Sequence, residues 1–196
     1  MNIIILAGMP ATGKSTLAKR LQKEFGYPIL EKDDIKEGLF DTLGFSCYEE
    51  KRVLDVAANE VLLRWMDAMM KAGQSMIVDN NFDAVSGKKL GRMLEERPCK
   101  CVTVFMNGDP QVLYERYFQR DSQGLRHPGH AMQTHYPPLD GEDTTFHMTR
   151  EGFDRRFLGL GMDRMAWGGK RILVDATILE NIDADALIDR ISAAFA

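Results

Sequence analysis

Eight residues near the start of this chain limit its fold more than any other feature. Gly8-Met9-Pro10-Ala11-Thr12-Gly13-Lys14-Ser15 fits the spacing G-x-x-x-x-G-K-[ST] at every fixed position. Before it, Asn2 to Ala7 is a continuous apolar run, the mark of a strand covered on both faces. After it, Lys14 to Phe25 has helical spacing, with Leu17, Ala18 and Leu21 on one face. A buried strand, a glycine loop and a helix in that order make a cradle for phosphate groups. Gly8 and Gly13 let the backbone turn and come close without a Cβ in the way. Successive N–H groups then point inward and meet the positive end of the helix.

The rest of the chain alternates in the same manner. Pro28 to Leu30 reads as a second strand, and Asp33 as the cap of a helix reaching about Leu43. Glu49 to Lys71 is a long amphipathic helix ended by Gly73. Ser75 to Asp79 and Cys101 to Met106 read as strands, with a helix over Val85 to Glu95 between them. Asp109-Pro110 supplies an N-cap and an N1 proline for a helix through Arg120. Arg171 to Asp175 is a fifth strand and Asp183 to Phe195 a closing helix. This rhythm predicts one α/β domain over residues 1–196, a three-layer α/β/α sandwich around a mostly parallel five-stranded sheet. One stretch interrupts it: Asp121 to about Thr149 has weak apolar periodicity and holds all four histidines. A long irregular insert in a compact domain is a functional candidate, here a lid.

Bulk properties exclude some classes. The net charge of −4 argues against a surface that grips long duplex DNA. Three cysteines, Cys47, Cys99 and Cys101, do not look like a disulfide framework and point to a reducing compartment. No apolar run reaches the ~18 residues of a membrane span, and Met1 to Ala7 lacks the charged flank of a signal peptide. A cytoplasmic protein without a membrane partner is the expectation.

The glycine loop defines a P-loop, and the expected ATP-binding set is Gly8, Met9, Pro10, Ala11, Thr12, Gly13, Lys14, Ser15 and Thr16. Lys14 reaches the β- and γ-phosphates as a mobile charge, and the Ser15 hydroxyl is a Mg²⁺ ligand. Other residues must then choose among P-loop classes. Asn80-Asn81-Phe82-Asp83 shares only its outer letters with the Asn-Lys-x-Asp guanine motif, and a larger ATPase module needs more chain for its sensor elements. Glu31-Lys32-Asp33-Asp34-Ile35-Lys36 places carboxylates at the carboxyl end of the second strand, the ligand-binding edge of a parallel sheet. A carboxylate there can accept the proton of a hydroxyl attacking the γ-phosphorus. Arg116 and Arg120, spaced i and i+4, share one helical face before the insert, and their planar forks suit phosphoryl oxygens.

These segments resemble, in order, the 5′-kinase domain of polynucleotide kinase and its smaller relatives. Those relatives are chloramphenicol phosphotransferase, zeta-toxin kinases and AAA_33-type ATP-binding proteins. The resemblance rests on Gly8–Ser15, Lys32-Asp33-Asp34-Ile35-Lys36, Ile77-Val78-Asp79-Asn80-Asn81 and Arg116/Arg120, across roughly two thirds of the chain. It implies that Asp33 is the general base and that Lys36 stands where the family has a phosphate-contacting arginine. It further implies that Asp79 orients acceptor or metal water, that Asp34 lines the acceptor site, and that Arg116 and Arg120 act on the transferred group. The implied activity is ATP- and Mg²⁺-dependent phosphorylation of a hydroxyl, on a small molecule more than on a nucleic-acid 5′ end. An ATP-binding regulatory NTPase without a dedicated acceptor is the alternative from another class. No phosphatase half is expected. Lys36 is a point charge where the family has a fork, which argues against recognition of a substrate 3′-phosphate. Arg126-His127-Pro128-Gly129-His130 is more elaborate than a minimal lid, which suggests a different acceptor or a lid that folds over a small one.

Blander readings hold elsewhere. Cys99 and Cys101 with His127, His130, His135 and His147 can be drawn as a zinc site, but no paired knuckle exists, and buried cysteines with a mobile histidine-bearing lid fit better. Met66, Met69, Met70, Met162 and Met165 read as core packing, and so does Trp65, while Trp167 stays open. Arg150, Arg155, Arg156 and Arg164 read as a solvated face, with an acceptor-binding patch as the other possibility.

Overall fold

A computed structural model describes residues 1–82, 84–145, 148–158, 167 and 169–196. The strands are β1 (Asn2–Gly8), β2 (Ile29–Glu31), β3 (Met76–Asp79), β4 (Lys100–Asn107) and β5 (Lys170–Asp175). They form one sheet in the order β2-β3-β1-β4-β5, and every pairing is parallel. The helices are α1 (Lys14–Phe25), α2 (Lys32–Leu43), α3 (Tyr48–Lys71), α4 (Ala84–Glu95), α5 (Pro110–Ser122), α6 (Pro128–Ala131), α7 (Arg150–Phe157) and α8 (Ala184–Phe195).

The apolar run of β1 is continuous because alternate residues enter two different cores. Ile3 and Ile5 pack with Leu62, Met66 and Met70 of α3, Leu90 of α4, Leu113 of α5 and Phe153 of α7. Ile4 and Leu6 pack with Leu17, Ala18 and Leu21 of α1 and Leu187, Ile188 and Ile191 of α8. All four β1 side chains are fully buried, and each such burial stabilises by roughly 1.5–3 kcal/mol. The three-layer expectation is therefore met, with the sheet wholly parallel.

Three local expectations change. Asp33 does not cap α2. Glu31 remains extended (φ −110°, ψ 126°) because it pairs with Asp79 in the sheet, so β2 runs directly into the helix at Lys32. Asp33 and Asp34 fall in the first turn, where the helix dipole favours negative charge. Trp65, expected in the core, is 54 % exposed, because it lies one residue out of phase with the buried stripe of Leu62, Met66 and Met70. Trp167 is the buried one, donating from its indole N–H to the Gly87 carbonyl at 3.0 Å and meeting Phe82 edge-on. Cys101 is buried, Cys99 only partly so. Asp83, His147, Met162, Arg164 and Met165 lie outside the described residues.

The insert is more ordered than its weak periodicity suggests. Its first half, through α6, docks on α2 and α3 in a third small core of Phe40, Phe45, Leu54 and Met132, with Tyr136 against it. Phe45 and Tyr136 form an isolated antiparallel bridge. Lys51 of α3 donates to the carbonyls of His130 (2.9 Å) and Met132.

Candidate active site

The register carries the ends of β1, β2 and β3 to one edge, since Leu6 lies opposite Asp79 and Asp79 opposite Glu31. The phosphate loop leaves β1 at that edge. Gly8 has φ 128°, and a Cβ on it would stand 1.9 Å from the Met106 carbonyl oxygen of β4, so only glycine fits. Gly13, at φ 83°, opens α1. Ala11 also sits in the left-handed region, at φ 59°, the kind of local strain that binding loops carry. Thr12 closes the loop by donating to the Met9 carbonyl at 2.8 Å, and Asn81 accepts from the Gly8 N–H at 2.9 Å. Asn81 belongs to the segment that carries the resemblance, yet its clamp on the loop is invisible without the fold.

Lys14 bends back over the loop, donating to the carbonyls of Met9 (2.7 Å) and Gly8 (3.2 Å). Burial pushes its pKa down, while the neighbouring Asp79 and Asp33 oppose that. A half-buried lysine whose ammonium is held by loop carbonyls is suited to exchange them for phosphate oxygens.

Beside it the Ser15 hydroxyl lies 3.0 Å from Asp79 Oδ2 and 3.2 Å from Glu31 Oε1. Glu31 is the site residue that sequence reasoning passed over in favour of the two aspartates after it. Its only signal was its place as the last residue of a strand. Burial, then the Asp79 and Asp34 carboxylates, raise the Glu31 pKa to about 7, and burial raises Asp79 as well. Crowded carboxylates next to a hydroxyl are a set of hard oxygen donors. No group of three or more His, Cys, Asp or Glu gathers as a metal cage among the described residues. That fits Mg²⁺, which takes one or two protein oxygens and fills its octahedron with phosphate and water.

Asp33 faces the same space from α2, and on its other side stands the insert. Arg126 Nη2 is 3.5 Å from Asp33 Oδ2, and Arg126 Nη1 is 3.8 Å from Asp121 Oδ2. Burial alone would raise the Asp33 carboxyl, but His130, Arg126, Lys36 and Lys32 outweigh it and hold the carboxyl below its ordinary value. His130 is itself pushed down by burial and pairs with Glu37 at 2.8 Å. Arg126 is thus the nearest charge to Asp33 that no pH change removes. The tip of the insert is braced: His127 and Tyr136 both reach Asp41, at 3.1 and 2.6 Å.

The remaining expected site residues separate. Arg120 lies close enough to Lys14 to oppose its charge, pairs with Asp121 at 3.1 Å and stacks over Tyr117. Arg116 turns away and donates to the carbonyls of Ala176 and Thr177, both at 2.6 Å, fastening the loop after β5. Lys36 is buried against Asp55 (2.7 Å), which Lys32 also meets at 3.0 Å. It braces α2 on α3 in this arrangement. Asp34 is exposed, its pKa raised first by burial and then by Glu37 and Asp33. Arg150 and Arg155 pair within α7, with Asp154 and Glu151.

Known structures share this fold. A protein assigned as a kinase from Chloroflexus aurantiacus J-10-fl is 28 % identical, with a TM-score of 0.74 over 98 % of this chain and 97 % of that one. Shikimate kinase from Acinetobacter baumannii, in complex with shikimate, is 16 % identical, with a TM-score of 0.56 over 98 % and 93 %. Gluconokinase from Sinorhizobium meliloti 1021 is 14 % identical, with a TM-score of 0.54 over 98 % and 90 %. The last two establish a likeness of fold alone. No curated protein matches. The fold is that of the P-loop kinases, and a family model described as an AAA domain, AAA_33, matches residues 3–135, so the chain belongs to that family.

Proposed function

We propose that this protein is a kinase that moves the γ-phosphoryl group of ATP, with Mg²⁺, to a hydroxyl of a small molecule. The observation that carries the reading is the meeting of Lys14, Ser15, Asp79 and Glu31 at one strand edge, with Asp33 facing the same space. A nucleotide store needs the first four. Asp33, near enough to Lys14 to act on its charge, is what a hydroxyl acceptor needs.

Lys14 exchanges its loop carbonyls for β- and γ-phosphate oxygens, and the loop N–H groups hold the same oxygens. Ser15 and Asp79 would hold Mg²⁺, with Glu31 beside them. When bound, the ion neutralises charge on the phosphates. Asp33 accepts the proton of the acceptor hydroxyl. Arg120 meets charge that develops on the transferred group. Arg116 acts indirectly, by fastening the loop after β5. The insert shields the reaction from water. The shikimate kinase and gluconokinase of similar fold favour a small acceptor, as does the net charge of −4. No described helix is long and apolar enough to cross a membrane.

The test is ATP consumption with Mg²⁺ against a panel of sugars, sugar acids, polyols, aminoglycosides, phenicols, nucleosides and a 5′-hydroxyl oligonucleotide. Turnover that rises with one small acceptor supports the reading. Slow hydrolysis indifferent to every acceptor points to a regulatory NTPase, and a response to the oligonucleotide alone to an end kinase.

A further inference from the structure

The acceptor side of the cleft holds a cationic group that the transfer reaction does not use. Arg126 reaches Asp33 and Asp121 only at 3.5 and 3.8 Å, beyond good hydrogen bonds. Its fork therefore lies between two carboxylates without a bidentate partner. Other positive charge stands near it. Lys51 feels the charges of Lys36, Arg156 and Arg126. Arg156 is exposed and stacks over Phe157, and it forms no ion pair among the described residues. The carboxylates on this side are committed: Asp55 to Lys32 and Lys36, Glu37 to His130, Asp121 to Arg120.

Arg126 is also not on a loose segment. The next residue, His127, caps α6 by accepting the Gly129 N–H at 3.1 Å. Gly129 lies so tightly on Phe40 that a Cβ there would stand 2.3 Å from the ring. A guanidinium on a braced turn, aimed at the carboxylate that must take a proton, has two consequences. It can read a negative group on the acceptor, and while it has none it holds the charge of Asp33.

Resting on the kinase reading above, we propose that the acceptor is an alcohol that also carries an oxyanion, a carboxylate or a phosphate, and that Arg126 binds it. In binding that group Arg126 leaves Asp33. The acceptor hydroxyl oxygen then forms a bond to the γ-phosphorus as the bond from that phosphorus to the β-bridging oxygen breaks. ADP leaves with the electron pair, and the hydroxyl proton goes to the freed Asp33 carboxylate. A neutral alcohol leaves Arg126 on Asp33 and reacts slowly. Arg126 is a positioning residue for the acceptor and a brake on the base.

The experiment compares matched acceptors: glycerate with glycerol, gluconate with sorbitol, and glucose 6-phosphate with glucose. We expect an anionic member to exceed its neutral partner at least tenfold in kcat/KM, and the pair that shows it separates carboxylate from phosphate. Arg126→Gln should remove that preference, chiefly through KM, and Arg126→Lys should restore part of it. A preference for neutral partners, or one that survives Arg126→Gln, overturns the proposal. A second measurement needs no acceptor. Arg126→Gln should raise the slow hydrolysis of ATP by water severalfold, and Asp33→Asn/Arg126→Gln should return it to the wild-type level or below. Hydrolysis unchanged or lowered in the single variant, with an intact melting temperature, refutes the brake. If wild-type protein neither binds nor turns over ATP, the kinase reading itself has failed, and that result is distinct from both.

Discussion

The proposed phosphate side and the proposed acceptor side of this cleft are built by opposite means. On the phosphate side, eight consecutive residues supply the loop, Lys14 and Ser15, while Glu31 and Asp79 at strand ends and Asn81 just beyond β3 only support them. On the acceptor side, Asp33 comes from α2, Lys51 from α3 and Arg126 from the insert, so the surface exists only when distant segments dock. A backbone-built site is local and tolerant of what surrounds it. A site assembled from side chains can change its ligand by changing one residue, and its specificity is tied to its packing. That contrast accounts for a shared loop among kinases with unlike acceptors.

The contrast predicts that each side can be broken separately. The largest effect on ATP binding belongs to Lys14→Ala, which removes a charged contact to phosphate without touching the core. ATP affinity should fall by about 10²–10³-fold with Mg²⁺ present, read by calorimetric titration, while the melting temperature stays near wild type. Unchanged affinity would remove the phosphate site. Next comes Gly129→Ala on the other side. The added methyl meets Phe40 at 2.3 Å, so overpacking should cost about 1–3 kcal/mol and loosen the insert. Acceptor KM should rise while ATP affinity holds, in a kinetic and binding comparison of the same preparation. Loss of ATP affinity instead would show that the two sides are not independent.

The smallest effect concerns Lys51. Burial, then Lys36, Arg156 and Arg126, lower its pKa to about 7, against a weaker opposing pull from Asp55. The unfolded chain binds this proton up to about pH 10.5 and the folded chain only to about 7. Between those values the unfolded state holds more protons, so Lys51 makes folding stability rise with pH, and below 7 its penalty is full. The difference in unfolding free energy between wild type and Lys51→Met, measured by denaturant at pH 7 and pH 9, should shift toward wild type at the higher pH. A difference that does not move with pH would mean that Lys51 is charged and solvated.

Legibility in the sequence follows the same division. β1, the loop and α1 were readable to within a residue because their determinants are local: an apolar run, fixed glycines, a 3.6-residue stripe. Asp79 was readable as a strand end. Glu31 was missed because its role depends on facing Asp79 across a strand pairing, and the adjacent aspartates drew attention from it. Arg116 and Arg120 read as a pair because helical spacing says only that they share a face. The loop after β5 takes one of them, and no local pattern reports that loop. The insert read as irregular because its apolar residues, Met132 and Tyr136, pack on Phe40 and Phe45 some ninety residues away.

Asp33→Asn bears most directly on the claim that this cleft performs phosphoryl transfer to a hydroxyl. The substitution keeps the shape of the side chain and removes the proton acceptor. On the best acceptor from the panel, kcat should fall by about 10²–10⁴-fold, while ATP affinity and melting temperature stay close to wild type. Wild-type kcat in that variant would contradict the account, because the carboxylate that faces Lys14 and Arg126 would then have no part in the chemistry.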